Sequence, residues 1–245
     1  MSKHLLWGCL TLVILYLLIP SFLARRLGIG VFRKGRTAGQ IAFTFDDGPD
    51  PSYTPQLLDL LKKHETKATF FVLGRKAEQY PDIIRRIHEE GHQLGIHNYT
   101  HHSNWFMTPW TITKRHIDHS ATIVKRITGT YPTFYRPPWG MINIFDFLRL
   151  KKQTIVLWSV MASDWRSNIG PQRLKSVLLQ NITSGSVILL HDSGDTFGAN
   201  YDAPKYMMEA LDEVLFEIKR QGLTCIRVDE MIAAEQKYRF PYHYE

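Results

Sequence analysis

Cysteine is almost missing from this chain: 245 residues contain two, Cys9 and Cys225. Cys9 falls in an apolar run and Cys225 stands alone, which excludes a disulfide framework and a thiolate metal site. Acid is missing from the first 36 residues, which carry six Lys/Arg. Subtracting those six from the 30 basic residues leaves 24 against 23 acidic ones, so the formal charge of +7 belongs to the N-terminal segment. The remainder is nearly neutral and has no electrostatic footprint for nucleic acid. Repeats, low-complexity tracts and a linker to a second domain are also absent. A hydrophobic content of 44% with 12% aromatics excludes disorder and is enough for one large domain plus an appendage.

One long apolar run is present, from Leu5 to Ala24. As a helix, its 20 residues would span a hydrocarbon core of about 30 Å. Lys3 precedes it, and Arg25, Arg26, Arg33, Lys34 and Arg36 follow. A signal-peptidase cut after Ala24 would place Phe22 three positions back and Arg25 just after, so a retained anchor is expected. Cys9 is not a lipidation site, because the apolar region follows it. Residues 1–36 therefore read as membrane anchor and basic connector, and 37–245 as the functional domain. The positive charge C-terminal to the run would by itself keep that domain in the cytoplasm; only the function argued below places it outside.

Beyond the connector, apolar and amphipathic stretches alternate. Strands are predicted at Ile41–Phe45, Ala68–Leu73, Gln93–His97, Thr133–Tyr135, Thr154–Val160, Val187–His191 and Thr224–Val228. Helices are predicted near Pro55–His64, Lys76–Glu90, Thr111–Thr128, Ile144–Lys151, Gln172–Asn181 and Lys205–Gln221. This alternation argues for an α/β fold with parallel strands. Asp46, Asp47, His97, His101, Arg136, Asp164, Trp165 and His191 all fall at or just after C-terminal strand ends. That rim is where (β/α) barrels collect reacting residues, so a barrel is preferred to an open doubly wound sheet.

The chain is organised around Phe43-Thr44-Phe45-Asp46-Asp47-Gly48-Pro49. Two adjacent carboxylates at a strand end repel unless a cation or shared proton compensates. His97 and His101 follow a later strand, and with Asp47 they make a three-ligand site of zinc type with a position left open for water. His116 and His119, lacking a carboxylate motif, read as a solvated helix face. Met207 and Met208 read as helix core and surface.

In order, Thr44-Phe45-Asp46-Asp47-Gly48, His97 with His101, Arg136-Pro137-Pro138-Trp139-Gly140, Asp164-Trp165 and Leu189-Leu190-His191-Asp192 resemble the polysaccharide deacetylase family, the NodB-homology carbohydrate esterases. The resemblance spans roughly residues 40–235. It implies a deformed (β/α) barrel of NodB-homology type, here preceded by one N-terminal transmembrane helix, and metal-dependent hydrolysis of N-acetyl groups on amino sugars. By it Asp46 is the general base, and Asp47, His97 and His101 ligate one divalent metal, zinc, with cobalt or another divalent ion able to serve. Arg136 orients Asp46, and His191 is the general acid. The Trp139 backbone N–H serves the oxyanion, while Trp165 and Leu189 form the acetyl pocket. An N-acetylated glycan of the cell wall, N-acetylglucosamine units of peptidoglycan in particular, is the implied substrate. A domain outside the cell membrane is the implied location, with no nucleic-acid or protein partner.

The pattern is broken at Met161, where the family usually has an Asp that supports the catalytic histidine; Asp164 or Asp192 is left to substitute. Ile96, Asn98 and Trp139 also depart from it. Two other readings therefore stand beside the first: a deacylase of lipid-linked amino sugars, and a non-catalytic membrane-anchored glycan binder. The stretches 104–109 and 193–204 are expected to set specificity.

Overall fold

The structure, a computed structural model, describes residues 3–149 and 153–239. The expected helix end at Lys151 and residues 240–245 lie outside the described residues. Among the described residues, eight short strands form one parallel sheet. They are β1 (Gln40–Asp46), β2 (Thr69–Val72), β3 (Gln93–Ile96), β4 (Phe134–Tyr135), β5 (Thr154–Ile155), β6 (Val160–Met161), β7 (Val187–His191) and β8 (Thr224–Cys225). Their order is β5-β4-β3-β2-β1-β7-β6, with β8 joined to the start of β1. The curled sheet with helices around it is the deformed barrel expected. β1 is central, paired to β2 through Thr44–Thr69 and to β7 through Asp46–His191. Its residues from Ile41 onward are buried on both faces, as in a parallel strand covered by helices. Phe43, Phe45, Phe70, Leu57, Ile84 and Ile87 fill the core under it. Each such side chain contributes about 1.5–3 kcal/mol on burial.

Three expectations needed correction. The stretch predicted as one strand, Thr154–Val160, is two, β5 and β6, which stand at opposite ends of the sheet. Between them the backbone turns its carbonyls to Arg136, whose Nε donates to Val156 O at 3.0 Å and Nη2 to Leu157 O at 3.2 Å. A guanidinium thus takes acceptors that a sheet neighbour would have used. The helix predicted over Lys76–Glu90 is broken into Gly74–Gln79 and Pro81–Glu89, because Pro81 lacks the N–H needed to continue a helix and favours its first turn. A helix at Val228–Arg239, with Asp229 and Glu230 in its first turn, was not anticipated.

The N-terminal run is helical over Lys3–Leu27, 25 residues, long and apolar enough to cross a membrane, and stops at Gly28 in the left-handed region. Its last turns lie on the domain. Pro20, Ser21 and Ala24 are buried, and Ser21 Oγ donates to Ile142 O at 2.6 Å while accepting from Ile142 N at 3.2 Å. The connector continues across the gap between β5 and β7, bridging Phe32 to Val156 and Lys34 to Ser186.

Candidate active site

The rim at the C-terminal ends of β1, β3, β4 and β7 surrounds a cavity of about 340 Å³. Asp46 closes β1, and Asp47 follows with φ +76°, a left-handed turn that lets two consecutive carboxylates share one cavity. Both are buried. His97 enters directly after β3. Asn98, at φ +67°, reverses the chain there, a position asparagine tolerates better than most residues. Its side chain donates to His102 O and accepts from the Tyr135 hydroxyl at 2.8 Å, which fixes the turn that carries His101 back.

These residues meet at one oxygen. His97 Nε2 is 3.3 Å and His101 Nε2 3.4 Å from Asp47 Oδ1. His97 Nδ1 lies 2.7 Å from the Arg136 carbonyl, which can only accept, so Nδ1 carries the proton and Nε2 turns its lone pair inward. Asp47 Oδ1 itself is buried with no hydrogen-bond partner, whereas Oδ2 accepts from Thr196 at 2.6 Å. Two imidazole nitrogens and an orphaned carboxylate oxygen are a donor set that fits a divalent cation of zinc type. Burial alone would raise the Asp47 pKa. The adjoining His97, His101 and His191 imidazoles outweigh it and hold the group well below the carboxylate range. Burial takes His101 down to about 4, despite the attraction of Asp47.

Asp46 faces a different partner. Arg136, fully buried after β4, donates from Nη1 to Asp46 Oδ1 at 2.7 Å and to Thr44 Oγ1 at 2.8 Å. Its guanidinium carbon sits 4.1 Å from the Phe71 ring centroid. With four of its N–H bonds directed at fixed acceptors, the arginine cannot follow solvent. It holds a negative charge on Asp46 in one place.

Beside Asp46, its register partner, His191 ends β7 and meets the carboxylate of Asp164. The His191 backbone N–H donates to Asp164 Oδ2 at 2.7 Å, and Nδ1 lies 3.1 Å from Oδ1. Burial would lower the imidazole pKa, but Asp164, with Asp47 and Asp46 beyond it, raises it to about 9. Asp164 therefore occupies the supporting position that Met161 leaves empty; Met161 is 43% exposed and lines the cavity instead. Asp192 points elsewhere: its N–H reaches Asp46 O at 3.3 Å and its side chain accepts from Thr54. Trp139, Trp165 and Leu189 all line the cavity. Trp139 sits at φ +55°, its ring 4.2 Å from that of His101, and Trp165 stands edge-on to His191 at 5.5 Å.

A match to the polysaccharide deacetylase family covers residues 33–149. A peptidoglycan-N-acetylglucosamine deacetylase of Bacillus cereus is 36% identical over 200 residues, 81% of this chain and 70% of the relative. The chain belongs to the polysaccharide deacetylase family. As a family member it is a hydrolase acting on carbon–nitrogen bonds other than peptide bonds. The peptidoglycan-N-acetylmuramic acid deacetylase PdaC of Bacillus subtilis is 34% identical over 194 residues, 78% of this polysaccharide deacetylase and 38% of that longer protein. A crystal structure of a peptidoglycan N-acetylglucosamine deacetylase superposes with a TM-score of 0.77 at 33% identity, covering 85% of this chain and 95% of the other.

Among the residues that were not singled out from sequence as part of this site, two have polar side chains. Thr196 and Arg25 both line the cavity, the first from a loop and the second from the end of the N-terminal helix. Neither has a periodic or motif signal. His116 also needed correction: it is buried, accepting from Tyr99 N at 3.3 Å through Nδ1, and burial brings its pKa to about 4.

Proposed function

We propose that this chain removes acetyl groups from N-acetylglucosamine units of peptidoglycan, holding one divalent metal ion, zinc, on Asp47, His97 and His101. The observation that carries the reading is the convergence of two imidazoles on the orphaned Asp47 Oδ1, beside an Asp46 fixed by Arg136. A bound cation would supply Lewis acidity, polarising the acetyl carbonyl and acidifying water.

The chain's own groups divide the remaining work. Asp46, oriented by Arg136, takes the proton of the attacking water. The Trp139 backbone N–H donates to the developing oxyanion. Trp165 and Leu189 enclose the acetyl methyl group. His191, kept protonated by Asp164, gives its proton to the departing amine. The glucosamine reading follows the first relative and the superposed structure, whose names carry that sugar. The Lys3–Leu27 helix is the membrane anchor in this proposal, with the domain on the outer side where peptidoglycan lies.

Acetate release from N-acetylglucosamine oligomers tests it, using the full chain in detergent with Zn²⁺ or Co²⁺ and Asp46→Asn alongside. Metal-dependent release that falls about 10²–10⁴-fold in the variant is expected. A folded, metal-loaded protein that releases nothing would overturn the proposal.

A further inference from the structure

A second cavity, of about 590 Å³, adjoins the first. Arg25, Arg26 and Arg33 line it together with Phe22, Trp158 and Met161, and no carboxylate does. Among the described residues, none of the three arginines has an acidic partner. The cluster is built by the docking of the N-terminal helix. Ser21 is tied to Ile142 on one face of the helix, the helix ends at Gly28, and Arg33 Nη1 then donates back to Arg26 O at 3.0 Å. Arg25 lies over the Trp158 ring at 5.7 Å. Arg25, Trp158 and Met161 line both cavities, so the arginine groove is continuous with the space that holds Asp46 and His191.

Arginines beside an apolar helix ordinarily meet lipid headgroups. Here the shared walls set them beside the reacting groups, where a ligand filling the catalytic cavity would extend into them. Three uncompensated guanidiniums suit an oxyanion that accepts several N–H bonds. We propose that Arg25, Arg26 and Arg33 form an anion-accepting groove for a carboxylate or phosphate borne by the substrate next to the acetylated sugar. The proposal rests on the deacetylase reading and narrows its substrate to charged amino-sugar glycans.

The test compares kcat/KM of the full-length, Zn²⁺-loaded chain on three substrates. One is a neutral N-acetylglucosamine tetramer. The second is an oligomer alternating N-acetylglucosamine with N-acetylmuramic acid, which brings carboxylates. The third is a polyprenyl diphosphate-linked N-acetylglucosamine, which brings phosphate. The wild type is expected to prefer one anionic substrate over the neutral tetramer by about tenfold or more, through KM and less so at high salt. Which one it prefers identifies the source of the anion. The triple variant Arg25→Gln/Arg26→Gln/Arg33→Gln should lose that ratio, and the corresponding triple Lys variant should recover part of it.

An unchanged ratio in the triple Gln variant overturns the groove. So does a variant that alters only association with phosphatidylglycerol-containing vesicles, since the arginines would then serve lipid. If the wild type releases acetate from none of the three, the deacetylase reading fails separately. Binding of the muramic-acid oligomer and of the diphosphate-linked sugar, followed by tryptophan fluorescence, then decides the groove: loss in the triple Gln variant supports it, and equal binding or none to either protein overturns it.

Discussion

Two histidine–carboxylate groups meet at one cavity, and they are electrostatically opposite. On one side His97 and His101 share a single oxygen of Asp47, and burial takes His101 down to about 4. On the other, His191 has Asp164 to itself, one oxygen on its backbone N–H and the other on Nδ1, and rises to about 9. Residue types and separations are nearly the same; what differs is how many imidazoles divide one negative charge. Burial beside a shared charge keeps His101 neutral, while sole possession of Asp164 keeps His191 protonated despite its burial. One pair of residue types is thereby held in two protonation states at one cavity.

The largest break in this contrast is expected from Asp47→Asn, which removes the only charge in the ligating group. Zn²⁺ binding, about one equivalent in the wild type, should be lost by calorimetry, with activity following it. Asp164→Asn should leave Zn²⁺ binding in place, and equal loss from both variants would sink the contrast. Next comes Arg136→Met, which strands a buried Asp46 charge and should cost about 3–5 kcal/mol of stability in a denaturant titration.

Asp164→Asn sharpens the other half. A raised imidazole pKa contributes stability that is fully present below about 6.5 and is lost as pH rises through about 9. In the cation-free protein an NMR titration of His191 should therefore move to lower pH in the variant, and the alkaline loss of stability between those two values should disappear. An unshifted titration would mean that Asp164 is not the cause. The smallest effect is expected from Met161→Asp. Read from sequence, this change should extend activity to higher pH. With Asp164 already on Nδ1 and Met161 43% exposed, the alkaline limb should move less than it does in Asp164→Asn.

The rim was legible because the candidate reacting residues abut short apolar strands. Asp46 ends β1, His97 follows β3, Arg136 follows β4 and His191 ends β7, so apolar runs mark where side chains surface. Asp164 was read as one of two substitutes for the missing carboxylate; only three-dimensional placement separates it from Asp192, which turns to Thr54. Thr196 was not legible because a loop residue touching Asp47 leaves no periodic trace. The division of Thr154–Val160 was hidden for a related reason. Its residues have strand character, and the break is imposed by a guanidinium distant in sequence. The length and apolarity of the N-terminal helix could be read directly, but not the seating of its last turns on the domain, because Ser21 and Ala24 look like any small residues of an apolar run.

The arginine that orients Asp46 also fastens the segment joining the two ends of the sheet. A descendant that lost Asp46 would shed chemistry and could keep its shape. One that lost Arg136 would forfeit the seam between β5 and β6 as well, so the arginine should outlast the activity it serves.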